Sequence, residues 1–247
     1  MKECYILNSN DFSRICDFKS LLRFKYQNIF KADMDSLIHR SESIIGAELL
    51  VDAPRLIEAG VPKSELAHIV CLGEVDLGCL EYAELFLGKD KIFVNIEKVS
   101  LCDVKLLKSI SSSSSKLKLI GVELVVEITE RDFCDSCVRI IEGLSYLKDE
   151  KVKLAKDDFE YLDYISDKIS RELELYYDYI KVDVPINSLE LDRFKEFMEK
   201  FGENKRIIIE RVETIDQLEN INLEKVWGLQ GFLFCKGVSI PKMSRFY

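Results

Sequence analysis

The sequence predicts an α/β chain folded as a (β/α)8 TIM-like barrel, on three observations. Short apolar, β-branched runs recur along the chain, each long enough for one strand. Between them lie segments with apolar residues at three- and four-residue spacing, the pattern of amphipathic helices. Several strand runs are nearly continuously hydrophobic, as parallel strands covered on both faces are. Seven or more such repeats with no Gly- or Pro-rich linker favour a barrel over a doubly wound sheet.

The strand runs fall, in order, at residues 44–51, 91–96, 117–128, 152–155, 179–184, 206–209 and 229–234. Helical spacing is clearest at residues 133–147, between the third and fourth runs, and at residues 189–201, between the fifth and sixth. The serine run at 111–115 reads as a solvated loop joining a helix to the strand after it. At 247 residues the chain can form one large barrel or two small domains, and either buries enough apolar surface for a core.

A composition 47% hydrophobic and 32% charged is that of a globular protein able to fold unaided. The net charge of -9, with no long basic run, disfavours a nucleic-acid backbone as partner. An acidic protein that handles a phosphorylated ligand needs something to cancel the repulsion, and a divalent ion held by carboxylates does so. Residues 1–10 carry no basic stretch followed by a long apolar one, and no later segment reaches the ~18 apolar residues of a membrane helix. A cytoplasmic protein with reduced, mostly buried thiols is expected.

Polar residues stand within or at the ends of the apolar runs, where a core strand would avoid them: Glu48, Asn95, Glu127, Asp157 with Asp158, Lys181 with Asp183, Glu210 and Gln230. In a parallel barrel the carboxyl ends of the strands converge on one mouth, so these distant positions become neighbours. Burying so many acids costs several kcal/mol per ion unless the charges are compensated. Hard oxygen ligands suit Mg2+ or Mn2+, and the adjacent Asp157 and Asp158 could bridge two ions. Two ions about 3.5 to 4 Å apart can generate a hydroxide and clamp a phosphodiester for in-line attack.

These residues sit in short motifs: Tyr26-Gln27-Asn28-Ile29, Gly46-Ala47-Glu48-Leu49-Leu50, Val94-Asn95-Ile96, Glu127-Ile128-Thr129-Glu130 and Asp157-Asp158-Phe159. After them come Ile180-Lys181-Val182-Asp183, then Glu210-Arg211-Val212-Glu213-Thr214 with Gln217-Leu218, and Gln230-Gly231-Phe232-Leu233-Phe234. In order and spacing the series resembles the EAL domain, a (β/α)8-type barrel of bacterial cyclic di-GMP phosphodiesterases. The resemblance covers nearly the whole chain, with Leu49 where the family signature has alanine. It implies a single EAL domain over residues 1–247, with the signature region from about residue 20 and a short helical lead-in at 1–19.

The resemblance further implies hydrolysis of cyclic di-GMP to linear pGpG by two divalent ions. Glu48, Asn95, Glu127, Asp157, Asp158 and Glu210 would be the metal ligands, and Lys181, Glu210 and Glu48 the catalytic residues, Lys181 positioning or activating the attacking water. Gln27, Glu130, Asp183, Glu213 and Gln230 would bind substrate or support the site. Cyclic di-GMP is the implied partner, with a homodimer and a regulatory protein partner also open. With no room for an attached sensor domain, regulation is expected from expression, oligomerisation or a separate partner.

Besides Leu49, the chain departs from the family in four places. Glu160, Tyr161, Leu162, Asp163 and Tyr164 stand where a glycine-rich segment usually follows Asp-Asp-Phe, and their φ angles are more restricted. Asp52 replaces an arginine that commonly contacts a substrate phosphate, while Arg211 and Gly237 replace glycine and proline. These changes support a second reading, a weakly active or inactive EAL module that binds cyclic di-GMP or a protein. Cys134 and Cys137 have no second pair or nearby histidine to complete a zinc site, so their spacing reads as helical. His39 and His68 read as surface or capping residues. Tyr161, Tyr164, Tyr176, Tyr177 and Tyr179 read as packing, and Trp227 as core or rim.

Overall fold

In the computed structural model, which describes residues 23–33, 43–51, 53–58, 60, 90–129, 137–162 and 167–240, nine strands form one sheet that closes on itself. They are β1 (Phe24–Lys31), β2 (Ile44–Val51), β3 (Lys91–Glu97), β4 (Glu123–Thr129), β5 (Lys153–Lys156), β6 (Tyr179–Asp183), β7 (Arg206–Glu210), β8 (Gly228–Leu229) and β9 (Val238–Ser239). Strands β2 to β8 pair in sequence order and in parallel. β1 closes the circle between β8 and β2, so the first eight strands make the expected barrel.

One strand corrects the all-parallel expectation. β1 runs antiparallel to both neighbours, from Phe24 opposite Val51 to Phe30 opposite Ile44 on one side and Phe30 opposite Leu229 on the other. Antiparallel neighbours need no crossover helix, so this pair can form without a βα unit. β9 lies against the start of β1, where the Ile240 amide also donates to the Phe24 carbonyl at 2.8 Å.

Five helices accompany the strands among the described residues: α1 (Ala53–Glu58), α2 (Val104–Leu119), α3 (Val138–Asp149), α4 (Asp167–Tyr176) and α5 (Ser188–Phe201). α2 overturns the solvated-loop reading of residues 111–115 and delays the expected strand at 117–128 until Glu123. The cause is packing. Leu106, Leu107, Ile110 and Leu117 share one buried helical face with Ser111 and Ser113, and the Ser111 hydroxyl donates to Glu150 Oε2 at 2.7 Å. Asp103 caps the start by accepting from the Lys105 and Leu106 amides at 2.8 and 3.3 Å.

The expected helix at 133–147 begins at Val138, with residues 133–136 outside the described ones. The expected strand at 229–234 ends after Leu229. Gly231 sits at φ 154, where a Cβ would collide with the Val212 backbone, and the chain turns there with the Phe234 and Cys235 amides donating to the Gly231 carbonyl. No helix of the described residues is long and apolar enough to cross a membrane.

The barrel interior is layered. Ile29, Phe93, Val125, Ala155, Tyr179 and Ile208 are fully buried there, with Ile45 and Trp227 packed against them. The Tyr179 ring meets Trp227 at 5.0 Å and Phe93 at 5.3 Å, both edge-on. Gly46 and Gly228 make room for this layer, since a Cβ would approach Phe93 at 3.2 Å or Ile29 at 2.8 Å. A second, larger core between strands and helices holds Leu106, Leu124, Leu144, Leu154 and Phe197.

Candidate active site

Side chains two positions apart on a strand face the same way. Two residues beyond the apolar layer, the strands therefore present a polar one: Glu48 after Gly46, Asn95 after Phe93, Glu127 after Val125, Asp157 after Ala155. Lys181, Glu210 and Gln230 follow Tyr179, Ile208 and Gly228 in the same way. Because β1 runs the other way, its contribution is Gln27, two residues before Ile29.

Lys181 is the hub of this layer. Its side chain is 1% exposed, and its Nζ lies 2.8 Å from Glu210 Oε1, 3.0 Å from Glu127 Oε1, 3.2 Å from Glu48 Oε2 and 3.3 Å from Asp157 Oδ1. Glu48 is the best-supported acid: Asn95 Nδ2 donates to its Oε1 at 2.9 Å, and Gln230 Nε2 to its Oε2 at 2.6 Å. Gln230 also donates to Gln27 Oε1 at 3.2 Å, and Gln27 donates to the Cys235 carbonyl at 2.9 Å.

Burial opposes ionisation of every acid here, and the balance differs from one to the next. At Glu48 the Lys181 charge and the bonds from Asn95, Gln230 and Lys181 outweigh burial and hold the carboxyl below its usual range. Burial, with the Glu48 charge beside it, pushes Glu127 well up. Burial also raises Asp157, and carries Glu210 to about 8 despite Lys181. For Lys181 the four carboxylates win over burial and keep the ammonium charged.

Four acids thus share one ammonium, so ionising all of them needs further positive charge, and without it burial holds Glu127 and Glu210 toward the protonated form. Among the described residues, Gln230 Oε1 and Asp183 Oδ1 are buried without a hydrogen-bond partner. Asp157, Asp158 and Glu210 each offer an oxygen within 4.8 Å of the others. Hard oxygen donors, orphaned lone pairs and excess negative charge together fit a divalent cation.

Asp158 lies at the outer edge of the layer with φ 43. Its neighbour there is Arg211, also left-handed at φ 55, which donates to Asp183 Oδ2 at 2.7 Å and Asp158 Oδ1 at 3.4 Å. Arg211 was legible only as a departure from the family pattern. Nothing in the sequence marks the positive φ that turns it onto the two aspartates.

Glu213 is exposed and lines a groove of about 570 Å3 with Pro185, Ile186, Leu191 and Gln217; among the described residues no bond links it to the acid layer. Glu97, missed by sequence reasoning, is buried one step above Asn95 and accepts from Thr129 Oγ1 at 3.4 Å. The two-residue alternation from Phe93 through Asn95 was the signal for it. After Asp158, Phe159 packs 5.7 Å from the Phe197 ring and Tyr161 packs 5.6 Å from Phe194, so α5 anchors the start of the altered loop. Tyr161, Tyr177 and Tyr179 are buried packing residues and Trp227 belongs to the barrel core, as expected.

Cys102, Cys137 and Cys235 are half-buried thiols outside any disulfide rather than fully buried ones, with Cys102 and Cys137 Sγ 3.9 Å apart. Asp52, Glu130, Cys134, Asp163, Tyr164, His39, His68 and the lead-in at 1–19 lie outside the described residues.

The sequence matches no protein-family model and no curated protein. Its structure does match solved ones. A Klebsiella pneumoniae BlrP1 complex with calcium and cyclic di-GMP aligns with TM-score 0.68 at 19% identity, over 89% of this chain and 56% of that one. The FimX EAL domain from Pseudomonas aeruginosa, bound to cyclic di-GMP, aligns with TM-score 0.65 at 18% identity, over 92% and 96% of the two chains. The fold is that of the EAL domain. The PaMucR phosphodiesterase in complex with cyclic di-GMP shares the EAL fold at TM-score 0.64 and 21% identity, over 88% of this chain and 97% of that one. The chain spans about half the length of BlrP1 but nearly all of the MucR and FimX structures.

Proposed function

We propose that the chain is a single EAL domain over residues 1–247 that hydrolyses one phosphodiester bond of cyclic di-GMP to give linear pGpG. The observation that carries this reading is the convergence of Glu48, Glu127, Asp157 and Glu210 on Lys181 at one end of the barrel. The ligands named for the similar structures agree with it: BlrP1 with cyclic di-GMP and calcium or manganese, MucR and FimX with cyclic di-GMP. The proposed compartment is the cytoplasm.

Glu48, Asn95, Glu127, Asp157, Asp158 and Glu210 would hold two divalent ions, Mg2+ or Mn2+, directly or through water. When bound, such ions lower the pKa of water and neutralise a phosphodiester. Lys181 Nζ fixes four carboxylates around one centre, and its positive charge would help position and activate a water held there. Burial pushes Glu210 up to about 8 in the ion-free site, and bound ions would favour its carboxylate, the form that a ligand or a proton acceptor needs. Asn95 and Gln230 keep the Glu48 oxygens facing inward. Gln27 would contact a guanine or the ligand backbone, and Asp183, Glu130 and Glu213 would bind substrate or support the site.

The test is chromatography of guanine dinucleotides after incubation with Mg2+ or Mn2+. Linear pGpG should appear with the wild type and vanish in Glu48→Ala; no turnover at micromolar protein would overturn the reading. One observation favours a second reading, a module that binds without efficient cleavage: the Arg211 guanidinium rests on Asp158. Calorimetric binding of cyclic di-GMP with no product formed would select it.

A further inference from the structure

Among the described residues two cations stand in the barrel mouth, and they differ in kind. Lys181 is sealed beneath four carboxylates. Arg211 is 67% exposed, and its fork spans Asp183 at 2.7 Å and Asp158 at 3.4 Å. Asp158 is also one of the three carboxylates, with Asp157 and Glu210, whose oxygens approach within 4.8 Å of one another. A guanidinium and a divalent ion therefore seek the same oxygen atoms. We infer that Arg211 is a tethered counter-ion that competes with the outer divalent ion for Asp158, so the chain fills its two ion positions unequally. The inference rests on the two-ion reading of this site.

The geometry decides which bond yields. The contact with Asp183 is short, whereas that with Asp158 is at the long end for a hydrogen bond. An ion arriving at Asp158 removes the weaker arm and leaves the guanidinium anchored on Asp183. Exposed pairs of this kind are weak, but a retained guanidinium beside a divalent ion adds like-charge repulsion. Together they should weaken the outer site about three- to tenfold. Among the described residues Glu48 bonds to Lys181, Asn95 and Gln230, and Glu127 to Lys181, with no bond from either to Arg211, so the inner position should not feel the change.

The experiment counts bound Mn2+ by electron paramagnetic resonance as the metal is titrated into the full-length chain, reading the loss of the free-ion signal. Wild type should take up one ion first and a second only at higher concentration. Arg211→Gln removes the charge; it should tighten the second step about three- to tenfold and leave the first unchanged. Arg211→Lys keeps the charge without the fork and should fall between the two. Arg211→Gly relieves the left-handed φ, so its melting temperature should not drop and its second step should tighten as in Arg211→Gln. Two equal steps in wild type, a second step unmoved by Arg211→Gln, or both steps shifted alike would overturn the inference and leave the metal reading standing. A protein that takes up no Mn2+ in any form would overturn the metal reading and the inference with it.

Discussion

Lys181 Nζ and Glu210 Oε1 meet at 2.8 Å in the barrel mouth, and the same ammonium serves Glu127, Glu48 and Asp157. The lysine is thus a structural keystone as well as a candidate catalytic group. A buried ion cluster contributes less than its Coulomb energy suggests, yet removing one partner leaves uncompensated charge behind.

Lys181→Met should therefore abolish phosphodiesterase activity and destabilise the metal-free fold by about 3–5 kcal/mol at neutral pH. Urea denaturation measures this loss. Because a divalent ion can replace the missing charge, saturating Mg2+ should raise the variant's midpoint more than the wild type's. An equal rise in both would contradict the shared-centre geometry.

Stability of the metal-free protein should fall as pH rises. A carboxyl whose folded-state value is raised binds its proton more tightly folded than unfolded. For Glu210 the contribution is fully present below the ordinary 4.5 and is lost as pH climbs through about 8. Glu127 and Asp157 shift in the same direction. Glu48, held low, works oppositely, its contribution being lost as pH falls below the ordinary value. Urea midpoints in chelator should decline between about pH 5 and pH 8, less steeply in Glu210→Gln.

Metal binding at pH 7 should release protons, because Glu127 and Glu210 must ionise to become ligands. Titration calorimetry in buffers of different ionisation enthalpy reads the number released. Identical heats in all buffers would show that these carboxyls are already ionised.

Gln230→Ala removes the 2.6 Å bond to Glu48 and the link to Gln27. A cost of about 1–3 kcal/mol in stability is expected, since a buried carboxylate loses a donor. Turnover should fall more than substrate affinity, a split that steady-state kinetics resolves.

Ser112→Pro separates helix from loop at the serine run. Ser112 is exposed in the middle of α2. Proline there should cost about 3 kcal/mol by breaking the helix, whereas a solvated loop would tolerate it.

Much of the site was legible because the barrel converts a local irregularity into a shared location. Asn95, Glu127, Lys181 and Glu210 each interrupt an apolar strand two residues beyond a core side chain, and that is the stagger that brings them to one layer. The serines of α2 were illegible because composition alone reads them as loop, whereas Ser111 and Ser113 are held in the helix by their apolar neighbours and a hydroxyl bond. The direction of β1 was hidden too, since a strand's residue pattern is the same read along either sense. Arg211 stood out in sequence only as a replaced glycine. Its role depends on a backbone angle that one sequence does not encode visibly.

The reversed first strand has a mechanical consequence. Gln27 reaches the polar layer from a strand that starts at the mouth, and Ile240 clasps Phe24 at that same rim. Phe24 and Ile240 therefore stand side by side at the rim that carries the acids. A tug or twist applied to either strand would be felt first at Gln27, and through Gln230 at Glu48, before it reached the rest of the barrel. A linker joining Arg23 directly to Ile240, with the chain reopened at the opposite pole, would move that handle away from the chemistry while leaving every strand pairing of the barrel intact.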